Sequence, residues 1–342
     1  MQLGTQKLWQ IGAGDTERDY ADLCQRWDVM LAGPGRLGPY SPEAYASLDD
    51  NNLRRFYVDA KRGDAVLLRL GTGRVVALGE IADDAPMWLP AFGDVDGWDV
   101  QHVRRVRWYP GTGFTFPGKT LGGQVRTFAS VEVDAVRAWV GTLKISQSSR
   151  DRKLAELPPE PRPLDLAELG RRLFIEGWPA DRVDKLIETV TGLDRVARWY
   201  SNEQEPPERR PSEQETVAYF VIPLLFSLGW SHQTAAIEWR NIDIALFDRM
   251  PATDGTLQCV VEAKLMGRSV FSPVGQALDY ALRGGREQCS RLIVTDGIRY
   301  AVHRKHGEKF KLTAYLNLLD IKDSNPAFEC AGAVEAILAM AR

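Results

Sequence analysis

The chain has 342 residues, is 44% apolar and sets 43 Lys and Arg against 46 Asp and Glu, for a net charge of −3. That length predicts two or three domains, each with enough apolar residues for its own core. The charge excludes bulk electrostatic coating of nucleic acid, the lack of any long apolar run excludes a membrane span, and four scattered cysteines (Cys24, Cys259, Cys289, Cys330) exclude metal-finger spacing.

The opening MQLGTQKLW lacks the apolar region of a signal peptide, so a reducing, cytoplasmic location is expected. Residues 1–142 then read as a small mixed α/β barrel. KLWQIGA, DAVLLRL, RVVALGEIA and WDVQHVRRVRWY have strand patterning, and Gly71-Thr72-Gly73 separates the second from the third as in a hairpin. Helical patterning covers Asp15–Met30, Pro42–Lys61 and Val131–Leu143. Aromatic residues crowd this region. Trp27 and Trp108 lie in strongly patterned segments and read as core, whereas Tyr40 (LGPYSP) and Trp88 (APMWLP) lie in loops. Gly111–Thr120 contains GKT without Walker A glycine spacing, so no NTP is expected.

The order KLWQIGAG, GPYSPEAY, KRGDAVLLRLGTGRVVALGEIA and WDVQHVRRVRWYP resembles the PUA-like superfamily, EVE-type domains in particular, over about residues 5–140. The resemblance implies a pocket that accepts a flipped-out, modified base. Rings recover the unstacking cost of such a base, and Trp9, Tyr40, Trp88 and Trp98 are the candidates to line the pocket.

KISQSSRDRKLAELPPEPRPLD is polar and proline-rich, as a linker is. Helical patterning follows to about residue 202, and EQEPPERRPSEQE reads as a second polar hinge. Residues 143–205 are therefore expected to be a linker and helical connector, bridging domains or feeding a homodimer interface.

The most informative stretch lies in residues 206–342. RNIDIALFDRMPATDGTLQCVVEAK reads as two strands joined by a long turn. Asp243 lies in the first strand. Glu262 and Lys264 are two residues apart on the second, hence on one face, and antiparallel pairing brings Asp243 across from them. E-x-K alone is usually a solvated face. Here CVV precedes it, and a carboxylate inside the apolar IDIALF is costly unless a cation accompanies it. Two hard oxygen ligands suit Mg²⁺, with Mn²⁺ possible, and a neighbouring lysine can hold a water.

A helix carrying Glu215, then IDIALF, VVEAK, Gln276 and Tyr280 in GQALDYAL, and RLIVTDGIRYAV together resemble the PD-(D/E)xK nuclease superfamily over about residues 206–305. The likeness is to the module at the N-terminus of type I restriction subunits. Ile242 stands where that family has Pro, and the Asp243-to-Glu262 spacing is long. The resemblance implies Asp243 and Glu262 on Mg²⁺, Glu215 on the metal through water or at a second site, Lys264 on the attacking water, and Gln276 and Tyr280 bracing the site.

The expected fold is thus multidomain, α+β and α/β: a PUA-like mixed β-barrel, a helical linker and a restriction-endonuclease-like α/β/α domain. The expected activity is Mg²⁺-dependent hydrolysis of double-stranded, modified DNA. Arg299, Arg304 and Lys305 follow the predicted core as candidate DNA-backbone contacts, and His303 and His306 read as surface or phosphate-facing. Two alternatives stand beside this: a nuclease of RNA or repair intermediates, and a non-catalytic nucleic-acid-binding subunit.

Overall fold

The computed structural model describes residues 6–46, 51–121, 127–200 and 210–342. The chain divides into two compact units, Met1–Glu160 and Pro161–Arg342. Each is built on one large mixed sheet. No helix among the described residues is long and apolar enough to cross a membrane.

In the first unit the strands are β1 (Leu8–Gly12), β2 (Val29–Ala32), β3 (Ala65–Leu70), β4 (Arg74–Ile81), β5 (Met87–Trp88), β6 (His102–Tyr109), β7 (Phe114–Thr115) and β8 (Phe128–Ser130). Among the described residues their path runs β2-β6-β4-β3-β1-β8, with β5 on β6 and β7 on β4, which makes the sheet a half-barrel where a mixed β-barrel is expected. β3 and β4 form the hairpin that Gly71-Thr72-Gly73 predicts. The helix expected over Asp15–Met30 is shorter, α1 (Ala21–Arg26), because Val29–Ala32 pairs with β6 as a strand. Further helices are α2 (Asn51–Arg54), continued by a π turn at Arg55–Asp59, and α3 (Asp134–Thr142), whose Val136 and Val140 pack on Leu8, Leu67 and Leu78.

Trp9 belongs to this frame and not to a ligand pocket. It is 3% exposed, its ring stacks on Phe128 at 4.9 Å, and its indole N–H donates to Asp64 Oδ2 at 2.8 Å.

The polar segment after α3 is held in place by charge. It contains α4 (Gln147–Asp151), after which the two terminal guanidinium nitrogens of Arg152 and the Ala155 N–H donate to the buried carboxylate of Asp28 at 2.5–2.9 Å. Asp28→Ala strands these donors, which costs about 3 kcal/mol. Hydrogen exchange should then show the Ala155 amide losing protection; unchanged protection would contradict this anchoring role.

The second unit begins with α5 (Leu166–Ile175) and α6 (Ala180–Tyr200). Asp165 caps α5 by accepting the Glu168 N–H at 2.7 Å. These helices, read from sequence as a connector, are a layer of the unit: Leu169, Leu173, Leu186, Val190 and Leu193 join Phe220, Leu224 and Leu225 in one core. Residues 201–209, where the second hinge is expected, lie outside the described residues.

One helical run follows, as α7 (Glu213–Thr216), a π turn at Val217–Val221 and α8 (Ile222–Ser227). Pro223 cannot donate to a carbonyl one turn back, and the wider π turn sits just before it. The sheet comprises β9 (Ala235–Trp239), β10 (Ile242–Phe247), β11 (Leu257–Ala263), β12 (Arg291–Thr295), β13 (Arg299–His306), β14 (Lys309–Asn317), β15 (Ser324–Asn325) and β16 (Cys330–Ala331). Its order is β15-β16-β14-β13-β12-β11-β10-β9. α5, α6, α8 and α10 (Ala333–Met340) share a core with Ile244, Val261 and Val302 on one face, while α9 (Val274–Ala281) packs on Ala245, Val260 and Leu292 on the other. All four cysteines are buried free thiols.

Candidate active site

The site grows out of the β10–β11 pairing. Ile244 stands opposite Val261 in an antiparallel register, and one further step sets Asp243 across from Glu262. Residues directly opposite on antiparallel strands share a face, so two carboxylates meet where one strand pair alone would avoid like charges. The turn formers between them build an excursion with a 3₁₀ turn at Asp254–Thr256, which absorbs the long spacing.

The Asp243 carboxylate accepts the Ala263 N–H at 2.7 Å. Lys264 follows directly on β11; its backbone N–H donates to Thr295 at 2.8 Å and its ammonium donates to Glu262 Oε1 at 2.6 Å. Glu262 is 0% exposed, and its Oε2 is buried without a hydrogen-bond partner. A buried anionic oxygen left unpaired is costly.

The electrostatics agree. Burial raises the Glu262 pKa, and the charges of Asp243 and Glu213 raise it further against the pull of Lys264. Burial also raises the Asp243 pKa, helped by Glu238 and opposed by the Ala263 amide and Lys264. For Lys264, burial disfavours the ammonium, but the Glu262 hydrogen bond and the charges of Glu262, Glu213 and Asp243 outweigh it, so its pKa is raised. The group carries surplus negative potential that one lysine does not remove.

Among the described residues no group of three His, Cys, Asp or Glu is placed to hold a metal. The carboxylates brought together here are those of Asp243 and Glu262. That pair suits Mg²⁺, which takes one or two carboxylates and keeps several waters or substrate oxygens, better than a cation needing a full protein cage. The unpartnered Oε2 and the raised carboxylate pKa values fit a hard divalent cation at Asp243 and Glu262.

Glu215 does not join this group. It is the third residue of a capping box: its carboxylate accepts the Ser212 N–H at 2.8 Å, while its own N–H donates to Ser212 Oγ at 3.2 Å. Ser-x-x-Glu before an apolar run carries that signature in the sequence. Glu213 is the helix carboxylate turned to the site: it lines a small cleft with Asp243, Glu238, Val217 and Ile237, and its charge reaches Glu262 and Lys264.

Gln276 and Tyr280 share a face of α9 as their spacing predicts, and the Gln276 amide donates to the Tyr280 hydroxyl at 3.3 Å. Tyr280 also meets Arg283 over its ring and Arg286 at its carbonyl. These contacts stay within α9 and the segment after it and do not reach the carboxylates.

Arg299 is committed elsewhere, pairing at 2.8 Å with the buried Asp296, whose carboxylate also accepts the Ile298 and Gly267 amides. Arg304 and Lys305 lie at the other end of the strands from the carboxylates, because β13 runs antiparallel to β12: Val294 pairs with Ala301 beside Glu262, whereas Arg291 pairs with Arg304 beside Cys259. His303 is 6% exposed, and burial lowers its pKa to about 4, so it is a neutral core histidine and not a surface group.

In the first unit Tyr40 stacks on Tyr57 at 4.4 Å and tilts against Tyr45 at 5.5 Å. The fully buried His102 joins them: Nδ1 meets the Tyr57 hydroxyl at 2.8 Å and Nε2 meets the Tyr45 hydroxyl at 2.9 Å. Burial raises the Tyr57 pKa and lowers that of His102. Trp88 lies beside this cluster, opposite His102 in the β5–β6 register, its indole N–H donating to the Gly35 carbonyl at 2.9 Å. Trp98 is separate, edge-on to Tyr20 with Arg18 over its ring. Sequence reasoning missed Tyr45, Tyr57 and His102. They come from three segments with no shared spacing, and only the fold gathers them.

No family model matches this chain, and no curated protein matches it.

Proposed function

We propose that the chain is a Mg²⁺-dependent endonuclease that hydrolyses DNA phosphodiesters, its first unit reading a modified base and its second unit cutting, as in modification-dependent restriction of phage or foreign DNA. The observation that carries the reading is the buried Glu262 with an unpartnered oxygen, set across from Asp243 and beside Lys264.

Asp243 and Glu262 would hold the metal, and bound Mg²⁺ would supply positive charge to the phosphate and a water of lowered pKa. Lys264 keeps its proton at neutral pH, since its pKa is raised. Its role is therefore to donate a hydrogen bond and place positive charge beside the phosphate, not to take a proton as general base. Glu213 adds negative potential at the same cleft and favours cation retention. In the first unit the Tyr40–Tyr57 stack, with Trp88 nearby, offers the ring surfaces on which an extruded base is held.

The test is incubation of phage DNA, with and without base modification, in Mg²⁺. Modified DNA should be cut, plain DNA spared, and EDTA should stop the reaction. Cleavage of neither substrate would overturn the reading; cleavage of RNA in preference to both would move the target to RNA. The alternative is a non-catalytic nucleic-acid-binding role. It predicts no heat of Mg²⁺ binding in a calorimetric titration.

A further inference from the structure

Most arginines and lysines that cluster in the sequence are spoken for inside the fold. Arg104 is fully buried on Asp83 and two carbonyls. Arg152 holds Asp28, and Arg171 and Arg172 share Glu168. The β13–β14 hairpin is different. Arg304, Lys309 and Lys311 are exposed and Lys305 half-buried, and no ion pair joins any of them to a described acid.

Register places the exposed cations together. Arg304 stands directly opposite Lys311, and His306 opposite Lys309, so all four side chains share one face. Lys305 and Phe310 point to the other. Like charges directly opposite on paired strands destabilise the sheet, and no carboxylate among the described residues forms an ion pair with either. Lys309 and Lys311, two residues apart on β14, place their charges roughly 7 Å apart along the strand.

We propose that this face of the β13–β14 hairpin is a phosphate-backbone contact for duplex DNA, a second contact surface remote from the Asp243–Glu262–Lys264 group. The choice of DNA as occupant rests on the nuclease reading; the need for a polyanion rests on the hairpin alone. Ala301 stands level with Glu262 through Val294, two strands away, and His306 is five residues further along β13. At about 3.4 Å per residue and 4.8 Å per strand, the tip lies roughly 20 Å from Glu262. Alternation sets Arg304 and His306 on the face of Val302, opposite the face that Val294 and Ala301 share with Glu262, so the hairpin contact is separate from the carboxylate face.

The experiment measures binding of a 30-base-pair duplex (roughly three helical turns) against salt concentration in EDTA, where hydrolysis is off and its failure cannot be confused with failure to bind. Arg304→Ala/Lys311→Ala should flatten the slope of log K against log[salt] by about 2 relative to wild type. Lys185→Ala/Arg195→Ala, an equal charge change on exposed positions of α6, should leave the slope alone. Equal slopes for the two double variants, or no duplex binding by wild type, overturn the proposal. Loss of polyglutamate binding in place of duplex binding would assign the hairpin to an acidic protein and overturn it also. Thermal melts of both variants establish that each is folded.

Discussion

Lys264→Ala should lower the rate of Mg²⁺-dependent DNA cleavage by about 10³-fold and, because it leaves the buried Glu262 carboxylate without its bonded ammonium, also lower the melting temperature. Among the described residues its ammonium is the one cation bonded to the carboxylate pair, at 2.6 Å from Glu262, and its raised pKa keeps it charged throughout the neutral range. Lys264→Arg keeps the charge but presents a planar fork where a compact ammonium fits, so recovery should be partial. A pH–rate profile separates this role from a merely structural one. If Lys264 were a general base, activity would rise through its titration and the alanine variant would flatten that limb; as a charged donor it leaves no such limb in the neutral range. Unchanged cleavage by Lys264→Ala would remove it from the chemistry.

Asp243→Asn should abolish cleavage and stabilise the protein in the absence of metal. The folded Asp243 has a raised pKa, caused first by burial and then by Glu238. Its sign follows from linkage. A carboxyl whose folded pKa lies above its unfolded value contributes stability while protonated, at low pH, and loses that contribution as pH rises through the folded pKa. At neutral pH the ionised group is therefore a net cost that Asn does not carry, and Asn still accepts the Ala263 N–H. The gain should be on the order of 1 kcal/mol, a few degrees in melting temperature, at pH 7, and should shrink toward pH 4. Added Mg²⁺ should reverse the ranking: wild type gains about 2.7 kcal/mol at a hundred times Kd, the variant much less. An Asp243→Asn variant less stable than wild type in EDTA would show that the carboxylate supports the fold.

Both expectations concern one site, and its geometry also explains what could be read from sequence there. The Asp243, Glu262 and Lys264 convergence was legible because strand periodicity and antiparallel register follow from local pattern. The register at Ile244 and Val261 places the acids as the alternation of IDIALF and CVVEAK predicts. Glu215 was misread because two roles compete for a glutamate at a helix start. The Ser212 capping box uses Glu215 locally, and the residue one turn-fraction earlier, Glu213, faces the cleft instead. Arg299 was misread because a basic residue after a turn looks free until the turn's own Asp296 is seen to hold it.

The longer-range features were less legible. Trp9 sits in an alternating strand that also predicts core burial, and the bond to Asp64, 55 positions away, is invisible to local pattern. The Tyr45–His102–Tyr57 network spans three separate segments, so no spacing rule could assemble it. Likewise the helices over 166–200 have the amphipathic period of any surface helix; only the facing apolar rows of Phe220, Leu224 and Leu225 make them part of the second unit's core.

The most direct test of the central claim is a crystal structure of the wild-type chain soaked in Mn²⁺, read by anomalous scattering. The account predicts one strong anomalous peak within about 2.5 Å of both Asp243 and Glu262, with Oε2 of Glu262 among its ligands. No peak there at saturating Mn²⁺, with the Lys264–Glu262 pair unchanged, would contradict it.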